Sequence, residues 1–182
     1  MLTTIIEQTT NAITAAVKGV DNILSAITDT VKNQVINVLQ GAGEVTGTGV
    51  EAIASVASGA IKGAAGVGTT ATDGATSVMS GVVKGVSQVG GDTMSAVRGG
   101  AQGIVQATAE TGGDIGSAAV SAVEGAVKAA GDVGADTSEA AKAAVGVQSQ
   151  NEEFVFRARR AAMRPIIKKW RAAGIGLGFR AF

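Results

Sequence analysis

Apolar and polar positions recur every eleven residues along most of this chain. A polar spine marks the period, and its members are Glu7, Lys18, Asp29, Gln40, Glu51, Lys62, Asp73, Lys84, Ser95, Gln106, Ser117, Lys128 and Glu139. Eleven residues are close to three helical turns, so a helix with this repeat keeps one face in line. Opposite the spine, small and branched apolar residues fill an arc of roughly 130°. The pattern predicts amphipathic α-helix over residues 5–147 and does not fit the period of two that a strand requires.

The apolar arc is the candidate self-assembly face. Its larger members are Ile5, Ile23, Ile27, Val38, Val56, Val67, Val78, Val82, Val89, Ile104 and Ile115. A face of Val and Ala stabilises weakly per residue at roughly 25 cal/mol per Å² of buried apolar area, so it needs a long contact. The 27 glycines each cost about 1 kcal/mol relative to Ala in an isolated helix. We therefore expect an all-α protein of one or more long helices that pack into an oligomeric bundle or tube rather than a globular domain.

Short glycine-containing units also recur with a longer period, which is twice the eleven-residue period. Gly90-Gly91-Asp92, Gly112-Gly113-Asp114 and Gly134-Ala135-Asp136 recur at that interval. These sites could be hinges between antiparallel segments, or small residues where neighbouring helices pass closely. The eleven-residue phase continues across each site, which favours the second interpretation.

A true break in the helix is predicted at residues 41–49, where four of nine residues are Gly. It separates an Ile- and Leu-richer N-terminal helix, residues 1–40, from the Gly/Ala/Val repeat region, residues 50–147. A fourth segment, residues 148–182, departs from the repeat.

The candidate chemistry is limited by composition. The chain contains no Cys, His or Tyr, so thiolate chemistry, disulfides and the commonest general base and metal ligand are excluded. The remaining Asp, Glu, Lys and Ser are scattered without convergence, so we expect no enzymatic activity, metal or cofactor. The sequence has no secretory-signal pattern and no transmembrane-length apolar run. These features predict a cytoplasmic or peripheral membrane location, with a virion as a further possibility.

Residues 148–182 form a basic, aromatic segment that we call the tail. From Asn151 onward it holds eight of the fifteen basic residues and a net charge of +6, which leaves −6 for the rest of the chain. The candidate docking residues are Phe154, Phe156, Arg157, Arg160, Arg164, Ile166, Ile167, Lys168, Lys169, Trp170, Arg171, Phe179 and Phe182. A basic amphipathic segment of this kind can bind an anionic membrane or an acidic protein groove. Nucleic acid is a weaker candidate, because no recognised binding module surrounds these residues.

The eleven-residue units resemble those of synucleins and perilipins. The similarity is carried by Ala16-Val17-Lys18-Gly19-Val20 and by the matching units at 60–64 and 82–86, and the pattern spans residues 5–147. The resemblance implies a long amphipathic helix on a lipid surface. One departure is that the spine lysines lie at the back of the apolar arc, away from its borders. One border is instead a strip of Gly and Ala, which suits helices that pack closely side by side.

The leading hypothesis is a non-enzymatic helical scaffold, a homo-oligomer assembled through the small-residue apolar face. The tail would dock it onto a partner complex or a membrane. One alternative is a peripheral protein that coats lipid droplets or vesicles. Another is a phage-type tube or DNA-ejection protein whose basic end meets nucleic acid.

Overall fold

The described part of the protein is built from helices alone. The computed structural model describes residues 2–17, 22–42 and 47–147. The helices are α1 (Leu2–Val17), α2 (Ile23–Ala42), α3 (Gly47–Gly66), α4 (Ala71–Gln88), α5 (Thr93–Glu110) and α6 (Ile115–Asp132). A seventh helix, α7, spans residues 137–147. The predicted all-α class is confirmed.

The helices stack in two layers, and each helix packs chiefly against the next but one. Helices α1, α3 and α5 form the odd layer, while α2, α4 and α6 form the even layer. Consecutive helices also contact each other across the layers. This arrangement is a helical repeat, in which each unit buries its apolar face against its neighbours in sequence.

The glycine sites that recur at twice the eleven-residue period are turns between helices, so the interpretation as small residues within a continuous helix is wrong. Gly68, Gly90, Gly112 and Gly134 all adopt positive φ angles, between 71° and 83°. Left-handed backbone of this kind ends a helix, and Gly adopts it without a Cβ clash. After Gly90, the Gly91 N–H donates to the Val86 carbonyl, which closes the end of α4.

A capping residue just after each glycine turn starts the next helix. The Asp92 carboxylate accepts hydrogen bonds from the backbone N–H groups of Met94 and Ser95 at the start of α5. Asp114 caps α6 through the N–H of Ser117, and the Thr70 hydroxyl caps α4. These side chains satisfy N–H groups that the first helical turn leaves without partners.

The length of the repeated unit explains why the phase of the sequence pattern hides these turns. Helices α4, α5 and α6 have 18 residues each, and four residues lie between successive helices. The unit of helix plus turn is therefore twice as long as the eleven-residue repeat. Each new helix consequently begins in the same phase, although the chain has reversed direction.

Small residues allow the helices of one layer to pack backbone against backbone. A Cβ built on Gly59 would lie 2.6 Å from the Ile6 carbonyl oxygen, and one on Gly81 would lie 2.6 Å from that of Thr28. Gly125 stands in the same relation to Thr76. These three glycines lie outside the predicted Gly/Ala border, which directly follows the spine residues. Within that border, a Cβ on Gly63 would lie 2.8 Å from the Ile13 Cβ, so part of the border also packs closely against a helix of the same chain.

Threonine hydroxyls join the same helix pairs by hydrogen bonds. The Thr10 hydroxyl donates to the Gly59 carbonyl at 3.0 Å, and the Thr28 hydroxyl donates to the Ser77 carbonyl at 3.2 Å. Both bonds link residues 49 positions apart in sequence. They cross between helices in the same layer and so fix the register of the stack.

Two predicted boundaries fall partly outside the described residues. Helix α2 ends at Ala42 and α3 begins at Gly47, and residues 43–46 of the predicted break at 41–49 are not described. The range 1–40, predicted as one N-terminal helix, contains α1 and most of α2, with residues 18–21 outside the described part. The tail, residues 148–182, also lies outside the described part.

Gly85 and Gly41 offer a matched test of close packing, because they occupy equivalent positions in α4 and α2. A Cβ on Gly85 would lie 2.9 Å from the Lys32 carbonyl oxygen, whereas one on Gly41 would meet nothing within 4 Å. Overpacking typically costs about 1–3 kcal/mol, against a gain of up to about 1 kcal/mol from helix propensity. We expect Gly85→Ala to unfold at lower urea concentration than the wild type, and Gly41→Ala to match or exceed it. Equal midpoints for the two variants would contradict the packing account.

Candidate binding groove

An open, polar groove crosses the exposed side of the even layer. It has a volume of about 910 Å³ and extends over α2, α4 and α6. Most of its lining residues carry a hydroxyl, an amide or a charge. They are Asn22, Leu24, Ser25, Thr28, Asp29, Lys32, Thr72, Asp73, Thr76, Ser77, Ser80, Lys84, Ser121, Glu124 and Lys128.

The floor of the groove is held by bonds between neighbouring helices. The Thr28 hydroxyl donates to the Ser77 carbonyl in α4, and the Thr76 hydroxyl donates to the Ser121 carbonyl in α6 at 3.1 Å. The three helices therefore present their polar faces at a fixed spacing. A ligand that spans the groove would meet a surface that is already organised, which lowers the entropy cost of binding.

Charges of both signs line the groove and partly neutralise one another. The Lys32 ammonium lies 3.5 Å from the Asp29 carboxylate within α2. The Lys84 ammonium of α4 lies 3.2 Å from the Asp132 carboxylate of α6. Glu124 and Lys128 are exposed on α6. This mixture favours a polar ligand with both donors and acceptors rather than a polyanion.

An equivalent ion pair joins two helices of the odd layer. The Lys62 ammonium of α3 lies 2.6 Å from the Glu110 carboxylate of α5. Lys62 and Glu110 precede Lys84 and Asp132 by two eleven-residue periods, so the two pairs occupy the same place in successive units. Hydrogen bonds from Lys62 and then Gln106 lower the pKa of Glu110 below its usual range. The pair is half-exposed and so contributes little to stability.

Within residues 2–17, 22–42 and 47–147, no three His, Cys, Asp or Glu side chains gather in a way that could hold a metal ion. The groove instead supplies hydroxyls, ammonium groups and isolated carboxylates. Such groups can bind a ligand through hydrogen bonds and charge.

The predicted self-assembly residues lie in or against the core of a single chain. Ile27, Val56, Val78, Val82 and Ile104 have no exposed surface. Ile5, Ile23, Val38, Val67 and Val89 are partly buried and pack against the same core, and Ile115 is half-buried. The five fully buried side chains contact helices of their own chain and present no surface to a second copy.

The predicted docking residues, from Phe154 to Phe182, all lie outside the described residues. In the part of the chain that the structure describes, no helix is long and apolar enough to cross a membrane.

The groove and the ion pairs between helices of one layer are features that the sequence reasoning missed. Lys62 and Lys84 of the polar spine pair with Glu110 and Asp132, which lie outside the spine. The available signal was a recurrence at twice the eleven-residue period, since Lys62 and Lys84 are spaced like Glu110 and Asp132. A spacing of this kind identifies equivalent positions, but it does not reveal which helices are neighbours.

No protein-family model matches this sequence, and no curated protein matches it. Among solved structures, the chain is similar to the crystal structure of a de novo designed helical repeat protein. The two are 17% identical with a TM-score of 0.40, and the match covers 82% of this chain and 94% of the other.

The Glu110 pKa provides a test of the ion pair with Lys62. Because this pKa is depressed in the folded state, its contribution to stability is present above the unfolded pKa and is lost as the pH falls through the folded pKa. We expect Lys62→Met to raise the Glu110 pKa toward its usual value, as followed by NMR titration of the carboxyl carbon. The stability difference from wild type should stay under about 1 kcal/mol at neutral pH and vanish in acid.

Lys84→Met is the matched control, because it removes the equivalent ammonium from the even layer. It should leave the Glu110 pKa unchanged. A Glu110 pKa that shifts equally in both variants would show that the general charge of the protein, and not the Lys62 contact, sets it.

Proposed function

We propose that this protein is a non-enzymatic helical scaffold. Its repeat region serves as a preformed stack of helices, and its tail attaches that stack to a partner complex or an anionic membrane. The observation that carries the proposal is the burial of the apolar arc inside one chain. A chain that satisfies its own apolar face has a defined shape before it meets any partner.

The architecture supports a structural role. Helical repeats present extended surfaces, and their stability comes from contacts between successive units. The groove over α2, α4 and α6 is one such surface, and its fixed hydroxyls and charges suit an extended polar partner. These properties fit a protein that holds other molecules in position.

A lipid coat formed by the apolar arc is a weaker candidate, because the arc is buried inside the folded chain. Side chains such as Ile27, Val56 and Ile104 have no exposed surface. To place them in a lipid surface, the stack would have to open and lose its contacts between helices. The coat function therefore competes directly with the folded state.

The tail supports attachment through its composition. It combines a net charge of +6 with all five aromatic residues of the chain. Aromatic side chains bury large areas at interfaces, and basic side chains favour acidic or anionic partners. In this proposal the helix stack forms the scaffold, and the tail attaches it to the partner.

Truncation after Gln150 tests the proposal. We expect the shortened chain to keep its helical circular dichroism, because the described core ends at residue 147. Its binding to vesicles of phosphatidylcholine and phosphatidylserine, or to an immobilised acidic polypeptide, should fall at least about tenfold. The matched control is the full chain with Lys62→Met and Lys84→Met, which removes two basic charges outside the tail. Undiminished binding by the truncated chain would contradict the proposed anchor.

A further inference from the structure

The two ends of the helix stack differ in polarity. At the first end, α2 packs against α4 through Thr28 and Val31 and turns its opposite face outward. The polar residues on that outward face are Thr30, Asn33, Gln34 and Asn37, which share it with Ala26. Asn33 and Asn37 are exposed, so their amides can be solvated. A polar outer face is what terminal units of a repeat protein require.

At the last end of the described stack, α6 presents an apolar face. Helix α6 packs against α4 through Gly125 and the Ser121 carbonyl. The helical period places five residues on the opposite side, and they are Gly116, Val120, Val123, Val127 and Gly131. No polar side chain interrupts this set, and Val120 is 55% exposed. We call these five residues the end face.

Helix α7 places Val145 two eleven-residue periods after Val123, at the equivalent position, and carries the exposed Ser138 and Lys142 on the same side. Its Ala140 and Ala144 are buried in the core, whereas Val145 is 49% exposed. Val120 and Val145 are the most exposed of the large apolar residues in the described ranges. The last end of the described stack therefore exposes two large apolar side chains, with polar residues only on its α7 side.

We propose that the end face is the contact surface of a homodimer, in which α6 of one copy packs antiparallel against α6 of a second copy. The inference rests on the proposed scaffold function and names the surface through which that scaffold self-associates. Unlike the buried apolar arc, the end face is a surface that a second copy can reach.

The composition of the end face fits a second copy of itself. Gly116 and Gly131 have no side chain, so two antiparallel α6 helices can approach closely at the ends of the contact. With Val120 of each copy opposite Gly131 of the other, the valine fills the space that the glycine leaves. Val127 then lies in the middle of the contact. A two-fold contact of this kind closes on itself and gives a dimer rather than a fibre.

The charges at the border of the end face are self-complementary. Glu124 and Lys128 are exposed and lie one helical turn apart on the same side of α6. In the antiparallel pair described above, Glu124 of one copy lies level with Val127 of the other and next to its Lys128. The opposite signs therefore favour the antiparallel direction, because a parallel two-fold pair would place these side chains on opposite borders of the contact, where they could not pair.

Head-to-tail stacking is disfavoured by the polar first end. It would bury Asn33, Gln34 and Asn37 against valines and glycines whose side chains offer no hydrogen bond. Each buried amide without a partner costs about 1–3 kcal/mol. The end face therefore pairs with the end face of a second copy rather than with the first end of that copy.

The available area suits a weak, reversible dimer. Helix α6 has 18 residues, which gives a length of about 27 Å at a width of about 10 Å, and α7 adds about 16 Å. The footprint is roughly 400 Å² on each copy, or about 800 Å² in total, which is smaller than the interface of a stable dimer. We therefore expect association that depends on protein concentration.

Sedimentation of the full chain tests the proposal. The wild-type mass should rise from 17.8 kDa toward twice that value as concentration increases. Val120→Asp and Val145→Asp each place a carboxylate on the proposed contact, so each should raise the dimer dissociation constant at least about tenfold. Leu24→Asp is the matched control, because Leu24 is 42% exposed on α2 and lies away from the end face. It should leave the dissociation constant unchanged.

Cross-linking gives a second measurement that does not depend on destabilising the contact. The chain has no Cys, so Val127→Cys introduces a single thiol near the middle of the contact, where the Val127 positions of the two copies lie closest to each other. It should form a disulfide-linked dimer under mild oxidation, whereas Asn33→Cys at the first end should not.

Several outcomes would overturn the proposal. These are a wild-type chain that stays monomeric at all concentrations, self-association that Val120→Asp leaves unchanged, or equal loss with Leu24→Asp. A dimer that forms only after residues 151–182 are removed would also overturn it, because the tail would then be the occupant of the end face. The truncation test of the scaffold function concerns the tail alone, so either proposal can fail while the other stands.

Discussion

Close approach between the backbones of helices in the same layer is the constraint on which this fold depends. Positions such as Gly59, Gly81 and Gly125 leave no room for a Cβ beside the carbonyl of the neighbouring helix. Glycine weakens each helix in isolation, and the contact offsets that cost by letting many Ala, Val and Ile side chains pack densely. The helices are therefore stable together, in a chain whose individual helices would be marginal.

Helix formation, burial and close packing can largely be predicted from the sequence, but the order in which the helices pack cannot. The eleven-residue period predicts helix, the apolar arc predicts which side chains are buried, and the Gly/Ala border predicts close packing. The reversal of the chain at Gly90 or Gly112 was missed, because a unit of two eleven-residue periods preserves the phase across the turn. The decisive local signal was the Asp that follows each site, since Asp92 and Asp114 are helix caps. An Asp at that position marks the start of a helix rather than its interior.

The candidate groove illustrates a second limit of the sequence. Its hydroxyls and charges are visible in the sequence as scattered polar residues, and their convergence depends on helices that are distant in sequence lying side by side. The bond from Thr28 to Ser77 and the ion pair of Lys84 with Asp132 arise from that stacking. The tail differs from the groove, because its basic charge and its aromatic residues are evident from composition. Its docking role stays a prediction.

One chain buries its own apolar arc, so we expect it to be helical with neither lipid nor a second copy. Far-ultraviolet circular dichroism of the full chain in lipid-free buffer, followed through serial dilution, tests it most directly. We expect a strong helical signal that is unchanged by dilution and by added anionic vesicles. A signal that fades on dilution, or that develops only when vesicles are added, would contradict it.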